Sequence, residues 1–283
     1  MTENLDSATS LRVDPGGIGR MATRALLTEL SLHPKPGLVS LVDNGAHDDM
    51  NATSFVRSIL SLRHYFPDIA EAGARAAPFP ELQRLGIAAE RRMLAATAGV
   101  NTHRGAVFCL GLLAAAAGYS RARKLETDGA ALAKIILALW GDDIEAASRQ
   151  AGDSHGARMI RLHGARGARE EVLSGLPTLV GSALPALQKT LRETSCAERA
   201  SVQCLFEIMA QLQDTNLLHR GGPEGLRFVQ QAARRFLRAG GVFDARWRRR
   251  ALDLHGDCVA LNLSPGGAAD CLAAAWFVHG LSG

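Results

Sequence analysis

Apolar residues recur at three- and four-residue spacing along almost the whole chain, and alternation at every second position is scarce. That periodicity predicts helices, not strands. A first helix is expected from Ile18 to Leu32, stopped by His33-Pro34, because a residue before proline leaves the helical region. A second should start at the N-cap Asn51 and run to Phe66, before Pro67. Further helices are expected over 80–96, from a cap at Asn101-Thr102 to Ala117, and over 127–140, 142–161, 178–192, 197–213, 223–239 and 245–255. The last should open at Ser264-Pro265, serine as N-cap and proline in the first turn, and reach His279. No linker composition and no repeat period interrupts the pattern. The expectation is one all-α domain over 18–283, preceded by a flexible segment, 1–17.

Apolar stripes say only that helices pack. The polar, glycine-bearing junctions between them are where a site can be built. The first is HPKPGLVSLVDNGAHDDMN: prolines 34 and 36 stiffen the chain around Lys35, a candidate phosphate anchor, and His47, Asp48 and Asp49 follow. Adjacent carboxylates repel unless a cation lies between them, and Mg²⁺ accepts a few carboxylates plus phosphates. The alternative is that the two acids only favour the start of the next helix. The second junction is Asn101-Thr102-His103-Arg104-Gly105 at a helix start, where free N–H groups attract anions; the alternative is a plain cap. The third runs from Gly164 to Pro177, with Arg166, Arg169, Glu170 and Glu171, a phosphate clamp or a surface loop. The fourth places Asp214 and Asn216 before His219, Arg220 and two glycines. The fifth is Ser264-Pro265-Gly266-Gly267, with Asp270 on the helix that follows.

Composition narrows the chemistry. Among 283 residues, 47% are hydrophobic, 5% aromatic and 21% charged, with a net charge of +4. The arginines at 246, 248, 249 and 250 lack the interleaved aromatics or reader motif of a nucleic-acid binder, so they read as a solvated helix face and no nucleic-acid partner is expected. Five cysteines in no C-x-x-C pair read as reduced thiols. The first residues have no apolar signal region, and the run from Ala106 to Gly118 is short for a bilayer. No membrane role is expected, and the cytoplasm is the expected compartment. Gly17-Ile18-Gly19-Arg20-Met21-Ala22 matches G-x-G-x-x-A, but no strand precedes it, and no P-loop occurs anywhere. The residues alone point to a helical enzyme handling a phosphorylated, Mg²⁺-bound substrate.

PKPGLV with GAHDDM, then NTHRGAVF, DTNLLHRGG and SPGGAADCLA, in this order over about residues 27–275, resemble the triphosphoribosyl-dephospho-coenzyme A synthase family. The resemblance implies an all-helical enzyme that joins ATP to 3′-dephospho-CoA. Adenine leaves, and the triphosphoribosyl unit goes to a ribose 2′-hydroxyl. The product would pass to a phosphoribosyl-dephospho-CoA transferase acting on an acyl carrier protein, that of malonate decarboxylase or of citrate lyase, the compact layout favouring the former. It further implies Mg²⁺ held by Asp48, Asp49, Asp214 and Asp270. His47, Asp48, Asp49, His103 and Asp214 would do the chemistry. Lys35, Asn101, Thr102, Arg104, Arg169, Glu171, Asn216, Arg220, Ser264, Gly266 and Gly267 would hold the substrates. A homo-oligomer is compatible with this reading. One departure stands in the third junction, where an R-G-E-x-x-x-G-F-P-like stretch has Glu170 in place of glycine and Leu176 in place of phenylalanine. A Mg²⁺-dependent N-glycoside hydrolase and a non-catalytic helical adaptor are the rival readings.

Overall fold

The computed structural model describes residues 14–149 and 167–281. Among these residues the regular structure is helical throughout and no strand occurs. α1 spans Pro15–Ser31, and Asp14 closes its start by accepting from Gly17 N at 2.8 Å. Residues 15–17, expected in the flexible segment, are therefore helical, because Asp14-Pro15 is itself a start signal. Residues 1–13 lie outside the described residues.

Three boundaries differ from the periodic pattern. The helix expected over 51–66 is two, α2 (Ala52–Ser61) and α3 (Tyr65–Ala74). Asn51 caps α2 as expected, through a reciprocal box with Ser54. Pro67 does not end a helix; it sits in the first turn of α3, where a missing N–H costs nothing. α4 (Phe79–Ala96) and α5 (Arg104–Ala122) follow. The helices expected over 127–140 and 142–161 are continuous as α6, Gly129–Arg149, since a lone glycine at 141 costs only about 1 kcal/mol in a helix. Residues 150–166, which include Arg166 and the end of the second expected helix, lie outside the described residues. α7 (Ala168–Leu173), a π-helical turn (Leu179–Ala183), α8 (Leu184–Thr194) and α9 (Ala197–Met209) come next. α10 runs from Thr215 to Arg238, eight residues earlier than expected, with a sharp kink at Gly222. A short 3₁₀ turn leads to α11 (Trp247–Ala260), and α12 spans Gly266–Leu281.

α5 is the axis of the core. Leu110, Leu113 and every alanine from 114 to 117 are fully buried. It is long and apolar enough to cross a membrane by length and composition, yet two-thirds of it is covered by the rest of the fold. α3 packs along it closely: a side chain at Gly73 would strike the Ala115 backbone, and one at Gly118 the Ala70 carbonyl. The alanine-rich, aromatic-poor composition is thus used for close helix approach. α1 and α12 pack beside this pair. The basic run around α11 is ion-paired at the surface, Arg248 to Glu198, Arg250 to Asp244 and Arg249 to Asp253.

Candidate functional site

Four of the five polar junctions meet at one end of the α1–α3–α5–α12 core. The loop between α1 and α2 is a folded clasp, not an open arm. Ala46 N donates to Gly37 O and Ser40 N to Asp43 O. His255, on α11, holds it from outside: Nδ1 lies 3.1 Å from Lys35 O and Nε2 lies 3.3 Å from Asp43 Oδ1. A carbonyl only accepts, so Nδ1 carries a proton. Leu38 and Val39, the apolar spacer of the loop, are buried beneath.

Lys35 points inward, away from the surface where a phosphate anchor was expected. It is 0% exposed, and Nζ donates to Glu29 Oε1 at 2.5 Å and to Glu29 O at 2.9 Å. Burial lowers its pKa, and Glu29 opposes that. The prolines thus stiffen a buried ion pair between the loop and α1. Glu29 escaped the motif reading, although an acid on the buried stripe of Ala22, Ala25, Leu26 and Leu30 is itself a signal.

The outer part of the site centres on His47. Its Nε2 lies 2.8 Å from Ser264 Oγ and its Nδ1 lies 2.9 Å from an Arg220 guanidinium nitrogen. Arginine can only donate, so Nδ1 accepts, and the ring proton sits on Nε2 and points at Ser264. Burial and the Arg220 charge lower the His47 pKa. Arg220 also donates to Ala46 O at 2.8 Å and to Asn262 Oδ1 at 2.5 Å. Asp48 and Asp49 are exposed, and their charges reach both Arg220 and His47.

Asp214 is buried and closes two helices. Its Oδ1 accepts from Asn216 N at 2.8 Å and Leu217 N at 3.3 Å, the start of α10. Its Oδ2 accepts from Ala268 N at 3.0 Å, the start of α12. Ser264 was expected to cap α12; its hydroxyl is engaged by His47 instead, and Asp214 supplies the cap from 54 residues away. Burial pushes the Asp214 carboxyl up to about 6, against the backbone N–H groups that favour the ion. Asn216 is exposed and faces Gly266, and Gly267 lies against the Asp214 carboxylate.

The inner part lies at the start of α5. Asp270 sits against Gly105, where any side chain would collide with its Oδ2, and it accepts from Ala106 N. Burial, Glu29 and Asp214 together raise its pKa well above the usual carboxylate range. His103 is 3% exposed; Nδ1 lies 2.6 Å from Ser58 Oγ, and Nε2 is buried without a hydrogen-bond partner. Burial, then the Lys35 charge, lowers its pKa to about 3, so the ring is neutral. Thr102 Oγ1 donates to Ser58 Oγ at 2.8 Å. The N-cap of α5 is His103, not Asn101 or Thr102, and its side chain makes no cap bond; Asn101, two residues earlier, accepts from Arg104 N at 3.1 Å, while the Arg104 side chain turns to Glu90 at 3.3 Å.

The third junction contributes least. Arg169 is partly exposed in α7; Glu171 folds back to accept from Thr178 N at 2.6 Å, and its charge is felt by Cys109 and Cys271 beside Asp270. All five cysteines are free, and burial raises the thiols of Cys109, Cys204, Cys258 and Cys271, so none of these four supplies a thiolate near neutrality. Among the described residues no group of three or more His, Cys, Asp and Glu side chains is placed to hold a metal ion. Asp48 and Asp49 are exposed, whereas Asp214 is sealed and occupied by backbone N–H groups. The site can therefore do two things: offer Arg220 and two carboxylates at its mouth, and hold Asp270 and an unpartnered His103 nitrogen deeper in.

The family model described as ATP:dephospho-CoA triphosphoribosyl transferase matches residues 15–283. A probable 2-(5″-triphosphoribosyl)-3′-dephosphocoenzyme-A synthase of Pseudomonas paraeruginosa is 42% identical over 280 residues, 97% of this chain and 94% of its own length. A protein of the same name from Acinetobacter calcoaceticus is 38% identical over 258 residues, 91% and 88% of the two chains. The 2-(5″-triphosphoribosyl)-3′-dephosphocoenzyme-A synthase of Pectobacterium atrosepticum is 38% identical over 272 residues, 93% and 88%. No solved structure gives a significant match.

Proposed function

The chain belongs to the ATP:dephospho-CoA triphosphoribosyl transferase family and is a transferase, and from that premise we propose that it attaches the triphosphoribosyl group of ATP to the ribose 2′-hydroxyl of 3′-dephospho-CoA. The bond from ribose C1′ to adenine breaks and a bond from C1′ to the acceptor oxygen forms. The hydroxyl gives up one proton and adenine gains one, so protons balance. The product is the precursor of the malonate decarboxylase prosthetic group and is passed to a transferase that loads an acyl carrier protein.

The observation that carries this reading is the meeting of the helix starts of α5, α10 and α12 with the His47 loop. Asp270 against Gly105, Asp214 on Ala268 N, His47 on Ser264 and Arg220 on Ala46 O join them. The mouth has Arg220, Asp48 and Asp49, and the interior has Glu29, Asp214 and Asp270 against one lysine. Phosphates suit the mouth once a Mg²⁺ carried on them offsets the two carboxylates. The reacting ribose, which gains positive charge as adenine departs, suits the acidic interior. Asp270, whose carboxyl is shifted toward the protonated form by burial and acidic neighbours, hands a proton to the leaving adenine, and the proton released by the acceptor hydroxyl restores it. His47 cannot serve as base, since one nitrogen is held by Arg220 and the other already carries its proton toward Ser264.

Mg²⁺ fits the mouth as an ion carried in on the triphosphate, with Asp48 and Asp49 as its protein ligands, and there it would neutralise phosphate charge. The test is to incubate the protein with ATP, Mg²⁺ and dephospho-CoA. Free adenine by chromatography and one enlarged CoA adduct by mass spectrometry are expected. ADP or pyrophosphate in place of adenine overturns the reading, and free triphosphoribose without an adduct makes the chain a hydrolase. Deleting the gene from its host should abolish malonate decarboxylase activity; loss of citrate lyase activity instead would assign the other branch.

A further inference from the structure

His103 is fixed at one ring nitrogen and open at the other. Ser58, which fixes it, is 0% exposed on α2, so its hydroxyl proton must go to a protein group. Its Oγ lies 2.6 Å from His103 Nδ1 and 2.8 Å from Thr102 Oγ1. Thr102 has a single proton and two acceptors in reach, Ser58 Oγ and Met93 Sδ at 3.3 Å. A hydroxyl oxygen at 2.8 Å is the stronger acceptor, since a thioether accepts weakly. Thr102 therefore donates to Ser58, Ser58 donates to Nδ1, and the ring proton resides on Nε2.

That N–H is buried and unpartnered, a costly state unless a ligand satisfies it. Phe55 stands edge-on to the ring, centroids 4.9 Å apart, and forms an apolar wall beside it. The charge that acts on the ring is that of Lys35, which is already paired with Glu29. Burying an unpaired phosphate charge against this wall is costly, whereas a neutral group with a lone pair satisfies the N–H. We propose that the Thr102–Ser58 relay holds His103 as the Nε2–H tautomer and that this N–H recognises the nucleoside end of ATP, through an adenine ring nitrogen or a ribose hydroxyl oxygen. Ser58 is thereby a positioning residue. The choice of ATP rests on the proposed function; the tautomer does not.

The test is nitrogen NMR of the histidine-labelled full-length protein, with and without adenosine. His103 should show a bare Nδ1 and a protonated Nε2, and the Nε2 signal should move with adenosine and stay put with inorganic tripolyphosphate. Ser58→Ala should mix the tautomers and raise the KM for ATP roughly 3- to 10-fold with a smaller change in kcat, the scale of one hydrogen bond. Should that variant fail to fold, Thr102→Val, at a partly exposed site, should shift the same signals, and Thr102→Ser should restore them. A bare Nε2 in the native protein overturns the inference, as does a Thr102→Val protein with native signals and native adenosine binding. If no adenine is ever released yet the Nε2 signal moves with adenosine, the transfer reaction fails while nucleoside recognition stands.

Discussion

His47, half-buried, and His103, buried, each meet a serine hydroxyl, and they differ in what is left over. His47 has Arg220 on its second nitrogen and is complete: it ties the loop to the starts of α10 and α12. His103 has its second nitrogen open inside the fold. The same contrast divides the carboxylates. Asp214 spends both oxygens on backbone N–H groups, whereas Asp270 sits among like charges with its carboxyl pushed toward protonation. Motif spelling does not separate scaffold from chemistry here; counting each group's unused hydrogen-bonding capacity does.

The sharpest way to break this comparison is Lys35→Met. If Lys35 is scaffold, the variant leaves Glu29 buried and unpaired and loses about 3–5 kcal/mol of stability in chemical denaturation. The double variant with Glu29→Gln should recover most of it. A stable Lys35→Met protein with weakened ATP binding would make the lysine a substrate ligand after all.

Next in size is Asp270→Asn. The amide keeps an acceptor for Ala106 N and places no charge beside Glu29 and Asp214, so the melting temperature should not fall. The proton for adenine is gone, and kcat should drop at least ~10²-fold. Near-native turnover would remove Asp270 from the chemistry.

Asp214 gives a pH signature of intermediate size. Its folded pKa, about 6, lies above the ordinary value of 3.8. The folded state thus binds more protons than the unfolded one between these values, and this group's stabilisation is lost as pH rises from about 4 to about 6. Melting curves of the native protein should carry that slope, and Asp214→Asn should lack it. Equal slopes would return Asp214 to an ordinary acid.

The smallest effect is expected at the mouth. Arg220→Lys keeps the charge and cannot hold Ala46 O, Asn262 and His47 together. The KM for ATP should rise about 3- to 10-fold, as for losing one or two hydrogen bonds, with kcat within about twofold. A large fall in kcat would move Arg220 to the reacting centre.

The all-helical class was legible from spacing alone, as was the Asn51 cap, because these signals act within one turn; the cap expected at Asn101-Thr102 falls instead on His103. The break at Leu62–His64 was missed because proline was read as a stop where it serves as a first-turn residue. The α12 start was read as Ser264 capping itself, and tertiary contact reassigned that work to Asp214. Ser58 and Glu29 carry no motif and lie in helical stripes; their only sequence signal is a polar residue on a face that should be apolar. The curated relatives support the reaction, and the residues that would perform it come from geometry.

The links that assemble the site join residues 54, 174 and 217 positions apart: Asp214 to Ala268, Arg220 to Ala46, His47 to Ser264. Contacts of such long range form after the local helices, since loop closure must come first. A growing chain therefore holds the inner Ser58–His103 pair long before the outer part of the site is joined. Until α12 has been synthesised, Asp214 lacks its second helix and His47 lacks its serine, so the outer part of the site should close in one step once α12 has emerged.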